Sequence, residues 1–147
     1  MRLGTWHRRL LVATLSAVAA TGVLWFLLHD VMDREPDEVL RTLLVAHGVI
    51  AFASAIAFGS VLPLHVLAGW RQRRNRLTGL AVALTVVLLI ASALLLYYGG
   101  EETRAWARLI HLAVGFAAIV AVPLHVVLGR RLRNQRERGG TSREQEW

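Results

Sequence analysis

The chain contains no cysteine. That excludes disulfides, thiolate metal sites, iron–sulfur clusters and the C-x-x-C-H attachment of a c-type haem. Any metal or haem must then be held by histidine, methionine or carboxylate. Charge is also scarce: 18% of the 147 residues are charged against 55% hydrophobic, yet the formal net charge is +7. A soluble domain spreads its charges over the surface, whereas here they gather in short stretches between long apolar runs. Basicity of this degree can signal a nucleic-acid surface. Nearly half of the basic residues flank hydrophobic runs that such a binder would not carry, so no nucleic-acid partner is expected. The length suits one domain.

Four uncharged segments stand out. They cover 20 residues between Arg9 and Asp30, 29 between Arg41 and Arg71, 24 between Arg76 and Glu101, and 21 between Arg108 and Arg130. Each reaches the roughly 20 residues that a helix needs to cross a bilayer core. Helices are the natural reading, because an open strand edge leaves backbone groups unsatisfied in lipid. Four buried core helices would leave a soluble chain of this length without a surface. The expected fold is therefore all-α: an integral membrane four-helix bundle, up-down-up-down, over residues 1–138. Its helices fall at about 9–29, 40–70, 77–99 and 104–130, and a disordered polar tail follows at 139–147.

The first segment has features of a signal peptide, with Arg8-Arg9 ahead of an apolar run and small residues at Ala17-Val18-Ala19-Ala20. The apolar run continues through Leu28 and further spans follow, so it reads as an uncleaved helix. Thirteen arginines lie in the N-terminus, the middle loop and the tail; four lie in the other two loops, beside the acidic residues. That bias puts both termini and the middle loop in the cytoplasm, which in a bacterium means the inner membrane. Trp25, Tyr97, Tyr98 and Trp106 then belong to the outer interface, and Trp6 and Trp70 to the inner one.

An internal echo accompanies this pattern. Pro63-Leu64-His65-Val66-Leu67-Ala68-Gly69 recurs as Pro123-Leu124-His125-Val126-Val127-Leu128-Gly129, with five of seven positions identical. Both copies end a helix that runs from outside to inside, so the second and fourth helices are expected to be parallel. The two prolines each remove a helix hydrogen bond and are expected to kink their helices.

Four of the six histidines lie inside spans: His47 and His65 on the second helix, His111 and His125 on the fourth. Ionisable residues within a membrane helix are costly and usually face the interior with a task. Eighteen residues at about 100° each make five whole turns, so His47 and His65 share a face. The fourteen residues between His111 and His125 leave about 40° of mismatch, which a left-handed bundle removes. Two parallel helices with two stacked histidines each suit two bis-imidazole haems at different depths. Gly48, Ala51, Ser54 and Ala55 on one helix, and Gly115, Ala118 and Ala121 on the other, would give a porphyrin room. Small residues also serve plain helix packing. Propionates need cations, and Arg41, Arg104 and Arg108 at the outer end and Arg71, Arg130 and Arg131 at the inner end are available. Flanking arginines serve topology and lipid headgroups as well. His29 is expected to be interfacial and His7 solvated.

These histidines and their glycine neighbours resemble the di-haem cytochrome b superfamily, including the small bacterial cytochrome b subunits that serve dehydrogenases and flavinylated proteins. The likeness runs from about Arg9 to Arg131. It implies haem b on His47, His65, His111 and His125, and electron transfer between the quinone pool and a redox partner protein. The fourteen-residue interval is similar to the family's usual one. The eighteen-residue interval is a turn longer, an offset of roughly 6 Å. Tyr97, Tyr98, Glu101 and Glu102 could line a quinone site. No catalytic carboxylate or nucleophile lies within the spans, so an electron-transfer subunit is expected rather than a stand-alone enzyme. The alternative is a non-haem four-helix membrane protein, either an ion or metal transporter or a structural assembly subunit, with packing histidines.

Overall fold

The computed structural model describes residues 4–71 and 76–143, with side chains for 4–63 and 76–131. The fold is all-α, and the described residues contain no strand. Helix α1 spans Thr5–Phe26 and runs into a π-helical turn, Leu27–Val31; α2 spans Glu38–Arg71, α3 Arg76–Tyr98 and α4 Glu101–Arg143. Four helices are long and apolar enough to cross a membrane. Large apolar side chains such as Val49, Phe52, Val87 and Val120 point outward, the surface that lipid rather than water would cover.

The chain divides into two compact units, Met1–Arg71 and Gln72–Trp147, and each contains a helical hairpin. In the first, α1 packs antiparallel on α2. The most buried α2 residues include Leu40, Ser54 and Val61, spaced by multiples of seven, and His47 occupies the missing step. A seven-residue repeat is the seam along which two helices mesh. In the second hairpin α3 packs on α4, with Val82, Ser92 and Ala107 buried.

The two turns use different chemistry. At the first, the helix loosens: Met32 N–H bonds to the Leu27 carbonyl five residues back (2.9 Å), and Arg34 N–H bonds to that of Leu28 (3.1 Å). Asp33 then takes φ 50°, the left-handed region that short polar side chains tolerate. Asp37 caps α2, accepting the Leu40 N–H at 2.9 Å through Oδ1 while Arg34 donates to its Oδ2. These interactions hold the Asp37 carboxyl below its ordinary value of 3.8, the Leu40 N–H first and Arg34 next.

The second turn is only Gly99-Gly100. Gly99 N–H bonds to the Leu95 carbonyl at 2.8 Å. A Cβ on Gly99 would run into that carbonyl and lie 3.1–3.2 Å from the Thr103 side chain. The backbone approach therefore admits only glycine.

Two boundaries differ from the sequence expectation. Helix starts fall one to four residues before the expected positions, because arginine and glutamate are good helix formers and only the hydrocarbon excludes them. Helix α4 also continues to Arg143, past position 139 where a disordered tail was expected. A helix already nucleated by its span extends at little cost. Residues 144–147 lie outside the described residues. Helices α2 and α4 each run through their proline as one helix.

Two outcomes follow. Gly99→Ala should lower the thermal stability of the detergent-solubilised chain, whereas Gly100→Ala, where a Cβ meets nothing within 4 Å, should not; equal effects would refute the close-approach argument. The depressed Asp37 pKa means that its cap stabilises the folded state above the unfolded carboxyl value. That contribution disappears as pH falls below 3.8 through the folded value. The protection of the Leu40 amide against exchange, taken relative to an unstructured amide at the same pH, should fall over that range in the native chain and stay constant in Asp37→Asn.

Candidate functional site

Three of the four span histidines have described side chains, and all three are half-buried within their own hairpin. Each directs Nδ1 at a hydroxyl on the neighbouring helix. His47 Nδ1 lies 3.0 Å from Thr21 Oγ1, His111 Nδ1 2.9 Å from Ser92 Oγ, and His125 Nδ1 2.9 Å from Thr78 Oγ1. Three hydroxyl–imidazole rungs thus tie α1 to α2 once and α3 to α4 twice. On α3 the two hydroxyls are fourteen residues apart, and on α4 the two histidines are also fourteen apart. Antiparallel helices with equal rise keep both rungs level, about 21 Å from one another.

The hydroxyls have a second partner. Thr21 Oγ1 donates to the Ala17 carbonyl (2.8 Å) and lies 3.0 Å from that of Val18. Ser92 Oγ donates to Leu88 (2.7 Å) and lies 3.1 Å from Leu89 O. Bonding to the carbonyl four residues back is the usual way for serine and threonine to satisfy themselves inside an apolar helix.

Glycine lets the first rung close. A Cβ on Gly22 would come within 3.0 Å of His47 Cε1 and 3.4 Å of Nδ1, so the ring lies on bare α1 backbone. Gly79 stands 3.6 Å from His125 Cε1 by the same measure. The Gly48 position meets nothing within 4 Å, and Gly115 only Leu89 Cδ2 at 4.0 Å. The glycines that touch histidines are therefore Gly22 and Gly79, not the two that flank histidines in sequence.

The remaining expected residues sort by position. His65 lies in α2 and Arg71 ends it, but their side chains lie outside the described residues, as does that of Trp70. Arg41 makes an exposed pair with Glu38 at 3.6 Å. Arg104 Nη2 donates to the Tyr97 carbonyl at 3.4 Å. Arg108 is half-buried near the start of α4, and Arg130 and Arg131 are exposed at the end of its apolar stretch. His29 sits in the π-helical turn, with Nδ1 3.2 Å from the Arg34 carbonyl and its ring 4.6 Å from that of Trp25. His7 is exposed. Among the described residues no three histidine or acidic side chains converge as a metal cluster.

Sequence reasoning passed over Thr21, Thr78, Ser92, Gly22 and Gly79. A signal was present: the dipeptide Thr-Gly occurs at 21–22 and 78–79, and the Thr78–Ser92 interval equals that of His111–His125. No family model, curated protein or solved structure matches the chain.

Gly22→Ala should displace the His47 ring, at a cost of about 1–3 kcal/mol for overpacking a tight contact. Gly48→Ala serves as the neutral control. Calorimetry of the two variants in detergent checks this, and equal stabilities would show that Gly22 is not the floor of the rung.

Proposed function

We propose that the chain is a multi-pass b-type cytochrome, an electron-transfer subunit of the bacterial inner membrane with cytoplasmic termini. In this reading His47, His65, His111 and His125 are the axial ligands of two bis-histidine b haems. The observation that carries it is the set of hydroxyls on Nδ1. A histidine that ligates a metal almost always has its other ring nitrogen held by an outer partner, which fixes the ring and tunes its basicity. His47, His111 and His125 each have such a partner from a neighbouring helix. The close approach at Gly22 and Gly79 holds two of the rings further.

The donor set suits haem b. It is made of imidazoles, and without cysteine in the chain covalent attachment is excluded. When bound, haem iron supplies one-electron exchange between Fe(II) and Fe(III). The chain's own part is to present imidazole nitrogen, to keep water away with an apolar surround, and to offer cations for the propionates. Arg41, Arg108, Arg71 and Arg130 are assigned that last role. The exposed Arg41–Glu38 pair is of a kind worth little in water, so exchanging Glu38 for a propionate costs little. Quinone and a redox partner protein are the exchange partners that this reading implies, as the resemblance to the di-haem cytochrome b superfamily does.

One observation also favours a second reading. A hydroxyl on each imidazole satisfies a half-buried polar group, and that alone would suit packing histidines in a structural subunit.

A reduced-minus-oxidised optical spectrum with haem quantified per chain separates the two. Sharp b-type bands at about two haems per chain are expected, with His111→Ala and His125→Ala each losing about one. A chain that takes up no haem when supplied with it is a packing protein, and the cytochrome reading then falls.

A further inference from the structure

We propose that the groove on the first turns of α1 is a binding site for an anionic phospholipid, with the headgroup phosphate on Arg9 and an acyl chain along Leu10 and Ala13. None of the span histidines takes part, so the site is independent of any haem.

Two grooves lie on the first hairpin, one at each end. Where α1 begins, a groove of about 500 Å³ is lined by Trp6, His7, Arg9, Leu10 and Ala13. At the other end, a groove of about 470 Å³ lies among Leu24, Leu28, Val39 and Leu43, and its charged lining residue is Glu38. Both have apolar walls, so charge tells them apart. Trp6, Arg9, Leu10 and Ala13 follow one another at steps of one, three and four, on one face of the helix. Their order gives the groove a direction. Trp6, 82% exposed, and the exposed Arg8 and Arg9 come first, where a membrane helix meets headgroups. Leucine and alanine follow into the span. The groove is therefore polar at one end and apolar at the other, as a phospholipid is.

The cations at this end have no counter-ion within their own unit. Every carboxylate of residues 1–71 lies between Asp30 and Glu38. Asp30 is 21 residues from Arg9, about 30 Å along the helix axis. The arginines of the far end are provided for: Arg34 pairs with Asp37, and Arg41 with Glu38. Arg8 and Arg9 form no ion pair among the described residues. Topology asks only that such charges stay on one side of the membrane; it does not ask for an apolar groove beside them. The chain also has no lysine, and a guanidinium forks onto two phosphate oxygens where an ammonium acts as a point charge.

These features favour an anionic lipid over a zwitterionic one. A zwitterionic headgroup carries its own cation and would set it beside Arg9, whereas an anionic headgroup brings charge of one sign. The groove with Glu38 presents the opposite case and should refuse the same lipid.

The test uses the full-length chain, delipidated in detergent and supplied with phosphatidylglycerol or phosphatidylcholine. Native mass spectrometry counts the bound lipid, and thermal unfolding reads the stabilisation. The wild type should retain phosphatidylglycerol in preference to phosphatidylcholine, and Arg9→Gln should weaken that retention about fivefold. Ala13→Phe leaves every charge in place but fills the apolar end of the groove, so it should release the same lipid. Both positions are exposed, and both variants should melt like the wild type when lipid-free. Arg34→Gln removes an equal charge at the far end and should retain lipid as the wild type does. Equal retention of the two lipids by the wild type, or unchanged retention in Arg9→Gln, would overturn the site. Loss in Arg9→Gln without loss in Ala13→Phe would reveal diffuse attraction to a charged helix end, and the groove would fall with it. Inorganic phosphate that stabilises the chain as much as phosphatidylglycerol would replace the lipid by a free anion. A dimer that Ala13→Phe dissociates would assign the groove to a second copy instead.

Discussion

Hydrocarbon offers no hydrogen-bond partner, so every polar group taken into it must find one within the protein. The backbone meets this requirement by forming helices, which is why the apolar segments become α1 to α4. Side chains must meet it too. Thr14, Thr21, Ser54, Thr85 and Ser92 each bond to a carbonyl four residues back on their own helix. A hydroxyl can do so and still hold a lone pair in reserve. An imidazole cannot reach its own backbone so easily and must look to a neighbouring helix. The reserve lone pair of a hydroxyl is an inexpensive partner, because its own needs are already met.

The hydroxyl–imidazole contacts thus serve the fold before they serve any cofactor. In the first hairpin, His47 continues the buried line of Leu40, Ser54 and Val61, a place where an unsatisfied polar atom would be expensive. Thr21 supplies the partner and Gly22 the room. The ring is then oriented by contacts on the helix beside it, and orientation is what a metal ligand needs from its surroundings. Packing demand and ligand demand ask for the same geometry, so the geometry does not distinguish them and binding must.

Much of the architecture was legible in the sequence because charge is excluded from lipid so strictly. The gaps between charged residues marked four helices, and each gap lies within a helical stretch but for Gly99-Gly100, the turn that closes the third. Helix ends were less legible. The π-helical turn at Leu27–Val31 and the α4 extension to Arg143 depend on local geometry that a hydropathy pattern does not encode. The histidines were conspicuous because imidazole is rare in a span. Their partners were not, since threonine, serine and glycine are ordinary in membrane helices, where small residues allow close packing. Gly48 and Gly115 drew notice as neighbours of histidine along the chain, yet Gly22 and Gly79 are the neighbours in space. Sequence adjacency within a helix places residues on different faces, so the effective partner comes from the other helix.

Matched intervals in the second hairpin have a mechanical consequence. Thr78 and Ser92 bracket the same length of α3 as His125 and His111 bracket of α4. The pair acts as a vernier: only one longitudinal setting of the two helices aligns both marks. A displacement of one residue, about 1.5 Å, exceeds the tolerance of a hydrogen bond and would open the two contacts together. The two imidazoles, fourteen residues apart on α4, are therefore gauged against a common ruler, and a disturbance that shifts one is felt by the other without any contact between them.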